Sequence, residues 1–416
     1  MADSLGVFVE LDGAPVFAGK LFGHRRRQVE SATFMYDAGF LADARAYALD
    51  PDLPLVSGAL QTPVGLEVFG AFSDSAPDRW GRRLILRAER RRAELAGETP
   101  RSFGELDFLV GVRDDLRQGA NRFASPTGAW LADDDTGVPY LVDLPLLLGA
   151  SDAVERDDPD AAQLATLLRA GSSLGGARPK AHVLDHDGAI SIAKFPRPVI
   201  DEWDVVRWEA VALELARRAG ILAADSRLEA VDGRGVLLVR RFDRQARHRL
   251  AYASAMTLLG AADGEHRSYV EIAEVIEEES AAPTDDLREL WRRIVFGVLI
   301  RNTDDHLRNH GFVRRGGGGW RLSPAFDVNP NPEPGNTTLS TSIDGTSDEA
   351  RLDLALEVAP VFRLSADAAD RVVREVANAV AGWRDVASAQ QCLPGEIDRM
   401  APAFEHREAD AARTRG

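Results

Sequence analysis

The segment LWRRIVFGVLI, Leu290 to Ile300, runs without a break into RNTDDHLRNHGF, Arg301 to Phe312. The first string is apolar at helical spacing and reads as the buried end of a helix. The second places Asp304, Asp305 and Asn309 around two histidines, His306 and His310, at the point where that helix must stop. Such a chain has to build a helical core around the first string and present a polar loop at its end.

At 416 residues the chain is too long for one simple core, and two or three domains are expected. Hydrophobic residues at 45% and charged residues at 28% are those of a folded globular protein. No apolar run approaches the roughly 18 to 20 residues that cross a bilayer, so no membrane span is expected. The start, MADSLGVFVELDG, lacks a basic region followed by an apolar signal core, and the single cysteine, Cys392, has no partner for an internal disulfide. Both features point to the cytoplasm. A formal charge of −16 excludes broad attraction to a phosphate backbone, so DNA is expected to be reached only through a partner. Of the 50 basic residues only Lys20, Lys180 and Lys194 are lysines. A lysine is a compact charge on a flexible stem, suited to phosphate oxygens, where arginine is a planar fork.

Along the chain, VFVELDGAPVFAGKLF alternates on both sides of Asp12-Gly13 and predicts a hairpin. Asp78 can cap a helix from about Arg79 to Leu95, whose arginine cluster, Arg87 to Arg92, reads as a solvated face in so acidic a protein. Between Asp133 and Asp160 acidic and turn-forming residues predict a boundary or long loop. Next come a helix in AAQLATLLRA, the glycine-rich GSSLGGARPKA, and two strands, His182 to Leu184 and Ala189 to Lys194, joined by Asp187-Gly188. DVVRWEAVALELARRAGI predicts a helix closed by Gly220, and RLEAVDGRGVLLVRRFDR a hairpin centred on Asp232-Gly233. From about Ala251 the pattern turns mostly helical. The fold class expected is α+β, with a β-rich part followed by a helical one.

Asp304 and Asn309 are spaced D-x-x-x-x-N, and Asp327 follows in SPAFDVNP after the strand-like GFVRR and GWRLS. That order is the order of a phosphoryl-transfer site: one carboxylate beside the acceptor hydroxyl, then an amide and a second carboxylate on Mg²⁺. Magnesium takes few oxygen ligands from protein and the rest from phosphates, so one amide and one carboxylate suffice. Alone the spacing is weak, because Asp and Asn abound in turns. Upstream, however, the small residues of GSSLGGARPKA allow backbone N–H groups close to phosphates, Lys194 ends a strand, and Glu209 on the next helix could pair with that lysine. His306 and His310, four apart, lack a third metal ligand nearby and read as structural. Asp305 reads as a solvated neighbour, and Trp291, Phe296, Phe312 and Phe326 as core.

The strings SSLGGARPKA at 172–181, KFP at 194–196, VRRFDR at 239–244, FGVLIRNTDDHLRNHGF at 296–312 and PAFDVNP at 324–330 resemble the HipA-type serine/threonine kinases, toxins of bacterial toxin–antitoxin modules. DSAPDRWGRRL at 74–84 is similar to the amino-terminal region that accompanies the kinase in this family. The resemblance implies a two-lobed, protein-kinase-like α+β fold: an amino-terminal β subdomain over 1–125, a β-rich lobe over 126–243, and a mostly helical lobe over 244–416. It implies Asp304 as catalytic base, Asn309 and Asp327 on Mg²⁺, and Lys194 on the phosphates of ATP. The loop Leu174, Gly175, Gly176, Ala177, Arg178, Pro179 and Lys180 would lie over the nucleotide, with His306 in the same site. Arg240, Arg241 and Phe242 would form the hinge beside adenine; Arg240 stands where better-known members carry a glutamate. Ser173, or the adjacent Ser172, would be autophosphorylated, and its phosphate would repel those of ATP.

The same resemblance implies a cellular protein target, with an aminoacyl-tRNA synthetase as the known kind, and a link to persistence. It also implies a small helix-turn-helix antitoxin of the HipB kind that carries the complex to DNA. Two alternatives use the same residues: a noncatalytic ATP-binding co-repressor of such an antitoxin, and a small-molecule phosphotransferase. The charge argument gives a direct test. At physiological salt the protein alone should show no binding to random duplex DNA by fluorescence anisotropy, and a submicromolar dissociation constant would contradict it.

Overall fold

The computed structural model describes residues 4–26, 29–132, 137–171, 176–246, 248–335 and 337–415. They form an α+β structure divided into two compact units that the chain enters more than once. Unit one comprises 1–197, 240–262 and 313–317; unit two comprises 198–239, 263–312 and 318–416. The three consecutive stretches expected from sequence are therefore not the compact units: 1–125 and 126–197 pack together, and 198–239 packs with the helical part. Ser172, Ser173, Leu174 and Gly175 lie outside the described residues.

Unit one opens on an antiparallel five-stranded sheet. Its strands are β1 (Leu5–Leu11), β2 (Ala14–Arg26), β3 (Val29–Tyr36), β4 (Leu60–Gln61) and β5 (Asn121–Ala124), in the order β4-β3-β2-β1-β5. The β1–β2 hairpin turns at Asp12 and Gly13, with φ of 50° and 81°. Both central residues need positive φ to match the strand twist, which is why Asp-Gly stands there. Every second residue of β1 is buried, and Phe72 makes edge contacts with Phe34 and Phe123, both at 5.5 Å between ring centres.

Helix α1 (Arg79–Ala96) is capped by Asp78, whose Oδ1 accepts from Gly81 N at 2.8 Å, and ends at Gly97 with φ 65°. It buries Trp80, Leu84 and Ala93 and lies against α3 (Ala161–Ala170). Arg90, Arg91 and Arg92 are exposed as expected, whereas Arg87 turns back to donate to Val154 O. The stretch read as a boundary or long loop instead holds α2 (Leu144–Glu155), which buries Leu144, Leu147, Leu148, Ala150, Ala153 and Val154. Its acidic flanks obscured an apolar face. A hairpin, β6 (Lys180–Leu184) and β7 (Ile190–Lys194), completes the part of unit one that matters for the site.

Unit two contains α4 (Val205–Arg218), capped by Asp204, and the hairpin β8 (Ser226–Val231) and β9 (Arg234–Arg240), which turns at Asp232 and Gly233 with φ of 48° and 75°. Trp208 of α4 packs beside Trp383 and Phe404, whose rings stack at 4.6 Å. Helices α5 (Tyr269–Glu279), α6 (Pro283–Ile300) and α7 (Ala366–Ala381) form the centre, with α6 touching both of the others. No helix among the described residues is long and apolar enough to cross a membrane.

His182 on β6 shows how tightly unit one is closed. Its Nδ1 lies 3.1 Å from Ala170 O, and Nε2 has no hydrogen-bond partner among the described residues. Burial, helped by the Arg241 charge, pushes its pKa down to about 3. The folded protein thus keeps His182 neutral while the unfolded chain takes up a proton below its ordinary value of about 6.5. Stability from this group is lost as pH falls through that value. Between pH 7 and 5.5 the unfolding free energy should drop by about 1 kcal/mol more in wild type than in His182→Asn, measured by urea denaturation.

Candidate active site

Helix α6 is amphipathic only at its start; from Leu290 onward all but Arg292 are buried. It closes at Arg301, which adopts φ 51°, and Asn302 N donates back to Gly297 O at 2.9 Å. A non-glycine residue in the left-handed region carries a conformational cost, so the surrounding contacts must hold it there. They do so through a second segment. Asn302 Oδ1 accepts from Asn329 N at 3.1 Å, Arg301 O from Asn331 N at 3.2 Å, and Thr303 Oγ1 from Asn331 Nδ2 at 2.9 Å. These bonds lash 327–331 to 301–303. Asp327 therefore stands alongside the loop that carries Asp304 and Asn309, as the order in sequence anticipated.

Within that loop the two adjacent aspartates have opposite environments. Asp304 is exposed. Asp305 is buried: Tyr269 donates its hydroxyl to Asp305 Oδ2 at 2.6 Å, His310 Nε2 lies 3.3 Å from Oδ1, and Thr341 donates to Asp305 O at 2.7 Å. Asp305 is thus no solvated neighbour but the post on which the loop is mounted. Burial alone would raise its pKa, yet His310 and the Tyr269 hydroxyl hold it below the ordinary carboxylate value. The same burial, with the nearby Asp305, pushes the Tyr269 phenol well above its usual range. Tyr269 was missed in the sequence because it sits 36 residues away, at the start of α5.

Asn309 closes a short 3-10 turn, Leu307–Asn309, and donates Nδ2 to Asp304 O at 3.2 Å, which leaves its amide oxygen as the ligand-capable atom. Asp327 has φ 56° and accepts from Asn329 Nδ2 at 3.3 Å. One amide oxygen and one carboxylate fit a hard cation completed by phosphate oxygens. No group of three or more His, Cys, Asp or Glu among the described residues could hold a metal by itself. His306 is half-buried at the head of the turn. Of the aromatic residues, Trp291, Phe296 and Phe312 are core, while Phe326 is half-buried next to Asp327.

The remaining candidates fall elsewhere in the chain's two units. Glu209 lies buried on α4 of unit two. In unit one, Gly176 to Pro179 lead into β6, and Lys194 closes β7 half-buried. Arg240 is exposed and pairs with Asp187 at 2.7 Å. The Arg241 side chain points inward: it pairs with Asp243 at 2.6 Å and donates to Leu116 O and Arg117 O at 2.7 and 3.0 Å. Only its backbone could line a hinge. Phe242 is half-buried, its ring 6.3 Å from that of Tyr252. Lys180 is almost fully buried in an ion pair with Asp78.

The mixed helical and β architecture is that of a protein-kinase-like fold. The HipA-like C-terminal domain family matches residues 172–383, just over half of the chain, and the chain belongs to that family. A putative kinase of Haemophilus influenzae is 32% identical over 115 residues, which are 24% of this chain and 34% of the relative; the chain thus spans about a third of that relative's length. Among solved structures, a chain of the Shewanella oneidensis MR-1 toxin–antitoxin complex of HipA, HipB and operator DNA shares the fold. Its TM-score is 0.64 at 15% identity, over 98% of this chain and 96% of that one. A proinflammatory kinase of Helicobacter pylori matches with a TM-score of 0.39 at 14% identity, over 57% of this chain and 93% of its own.

The post at Asp305 gives a mutational test. Tyr269→Phe leaves a buried carboxylate one donor short, and should cost about 1–3 kcal/mol of stability in chemical denaturation.

Proposed function

We propose that this protein is an ATP- and Mg²⁺-dependent serine/threonine kinase of the HipA type, the toxin of a toxin–antitoxin module acting in the cytoplasm. The observation that carries the reading is the loop after α6: Asp304 exposed, Asn309 bonded to the carbonyl of Asp304, and the Asp327 segment tied to 301–303 by three hydrogen bonds. Asp304 accepts the proton of a serine or threonine hydroxyl as its oxygen bonds to the γ-phosphorus and the bond to the bridging oxygen of ADP breaks. Asn309 and Asp327 would hold Mg²⁺, which when bound neutralises charge on the phosphates. Lys194 would meet the phosphates. The Gly176 to Pro179 stretch, with Leu174 and Gly175 before it, would cover the nucleotide.

Family membership supports the toxin role, and a small DNA-binding antitoxin of the HipB kind fits a chain too acidic to seek DNA unaided. The target is then a cellular protein, with an aminoacyl-tRNA synthetase as the first candidate. Ser173 or Ser172 would receive phosphate in the protein itself. The test is mass spectrometry of wild type and Asp304→Asn after incubation with Mg²⁺-ATP. Phosphate is expected on the peptide holding Ser172 and Ser173 in wild type only, with transfer lowered about 10²- to 10⁴-fold in the variant. An Asp304→Asn protein as active as wild type removes the catalytic assignment.

A further inference from the structure

Lys180 and Lys194 are two of the chain's three lysines, and the β6–β7 register sets them directly opposite each other. Opposed residues of an antiparallel pair share a face, and like charges there repel. Lys180 is relieved of this by a partner from far upstream. Its ammonium, 2% exposed, donates to Asp78 Oδ2 at 2.6 Å and to Gly176 O at 3.2 Å. Asp78 uses its other oxygen to cap α1. Trp80, fully buried, donates its indole N–H to Lys180 O at 3.0 Å and its backbone N–H to Gly176 O at 3.4 Å. Gly176 itself has φ 105°, a conformation that side-chain-bearing residues rarely adopt. The first turn of α1 thus grips both ends of the stretch by which the glycine-rich loop enters β6.

We infer that Asp78 and Trp80 form a clasp on the foot of the glycine-rich loop, and that Lys180 is a positioning residue of this clasp while Lys194 is the lysine that meets nucleotide phosphate. This rests on the kinase reading above. A buried ammonium paired with a buried carboxylate cannot reach for phosphate without leaving Asp78 uncompensated, so the pair fixes the loop rather than the ligand. Burial also holds the Asp78 carboxyl above its ordinary range against the pull of Lys180, as expected for a pair withdrawn from water. The amino-terminal region thereby holds the stretch from Gly176 to Lys180 in place.

The test is a double-mutant cycle on Mg²⁺-ATP affinity, by calorimetry, with wild type, Asp78→Asn, Lys180→Met and the double variant. Each single change is expected to weaken binding roughly tenfold or more. The double variant should be no weaker than the worse single, because both act through one contact. Effects that multiply, or Lys180→Met losing ATP while Asp78→Asn binds like wild type, would make Lys180 a direct phosphate ligand and overturn the clasp. Amide exchange at 176–180, read on the same proteins without nucleotide, should speed up in Asp78→Asn; unchanged exchange overturns the proposal too. Should Asp78→Asn not fold, Trp80→Phe, which removes the indole donor together with part of a buried ring, takes its place with the same expectations. Wild type that binds no ATP would refute the kinase reading, and the exchange result would then decide the clasp by itself.

Discussion

The burial of α6 is the constraint on which unit two is arranged. Trp291, Ile294, Val295, Val298 and Leu299 are withdrawn from solvent, each worth on the order of 1.5–3 kcal/mol in transfer free energy. Buried polar side chains on the same helix are paired: Asp286 with Arg321 at 2.9 Å, Trp291 donating to Ala355 O at 2.8 Å, and Arg293 reaching Ser323 O at 2.8 Å and Glu289. A helix held this firmly ends at a fixed point, and Arg301 in its left-handed conformation sends the chain outward from there. The loop that follows inherits that precision. Asp304 can be exposed and still be fixed in place, because Asp305 beside it is anchored to Tyr269 and Thr341.

Unit one solves a different problem, that of burying arginine. Arg117 is wholly enclosed and donates to Ser75 O, Leu109 O and Val112 O, with its pKa pushed down to about 9 by burial. Asp243 gathers Arg241, Arg244 and the Gly119 N–H, and they hold it below its ordinary range although burial opposes them. A planar fork with five donors can satisfy several carbonyls at once, which is what makes such enclosure tolerable. Lysine has no such geometry, and the buried Lys180 instead needs a dedicated carboxylate.

Local chemistry was the legible part of the sequence. The Asp-Gly hairpins at 12–13 and 232–233, the Asp78 cap and the apolar period of α4 and α6 appear where short-range rules put them, since each rests on residues within a few positions of one another. The spacing from Asp304 to Asn309 was legible for the same reason. Helix α2 was not, because charge and turn formers on both sides outweighed its apolar face. Asp305 was misread because its environment comes from Tyr269 and Thr341, each 36 residues distant. Arg241 and Lys180 likewise find partners about a hundred residues or more away, in Leu116 and Asp78.

By itself the sequence determined the kinds of element, the class of fold and the order of the acid, amide and acid that define the candidate site, because these follow from period, capping and spacing along the chain. Tertiary structure alone decided which of two adjacent aspartates faces solvent and which of two opposed lysines is withdrawn into an ion pair. The physical reason is that burial and charge pairing are properties of neighbours in space, and residues such as Asp78 and Tyr269 become neighbours only when the chain has folded.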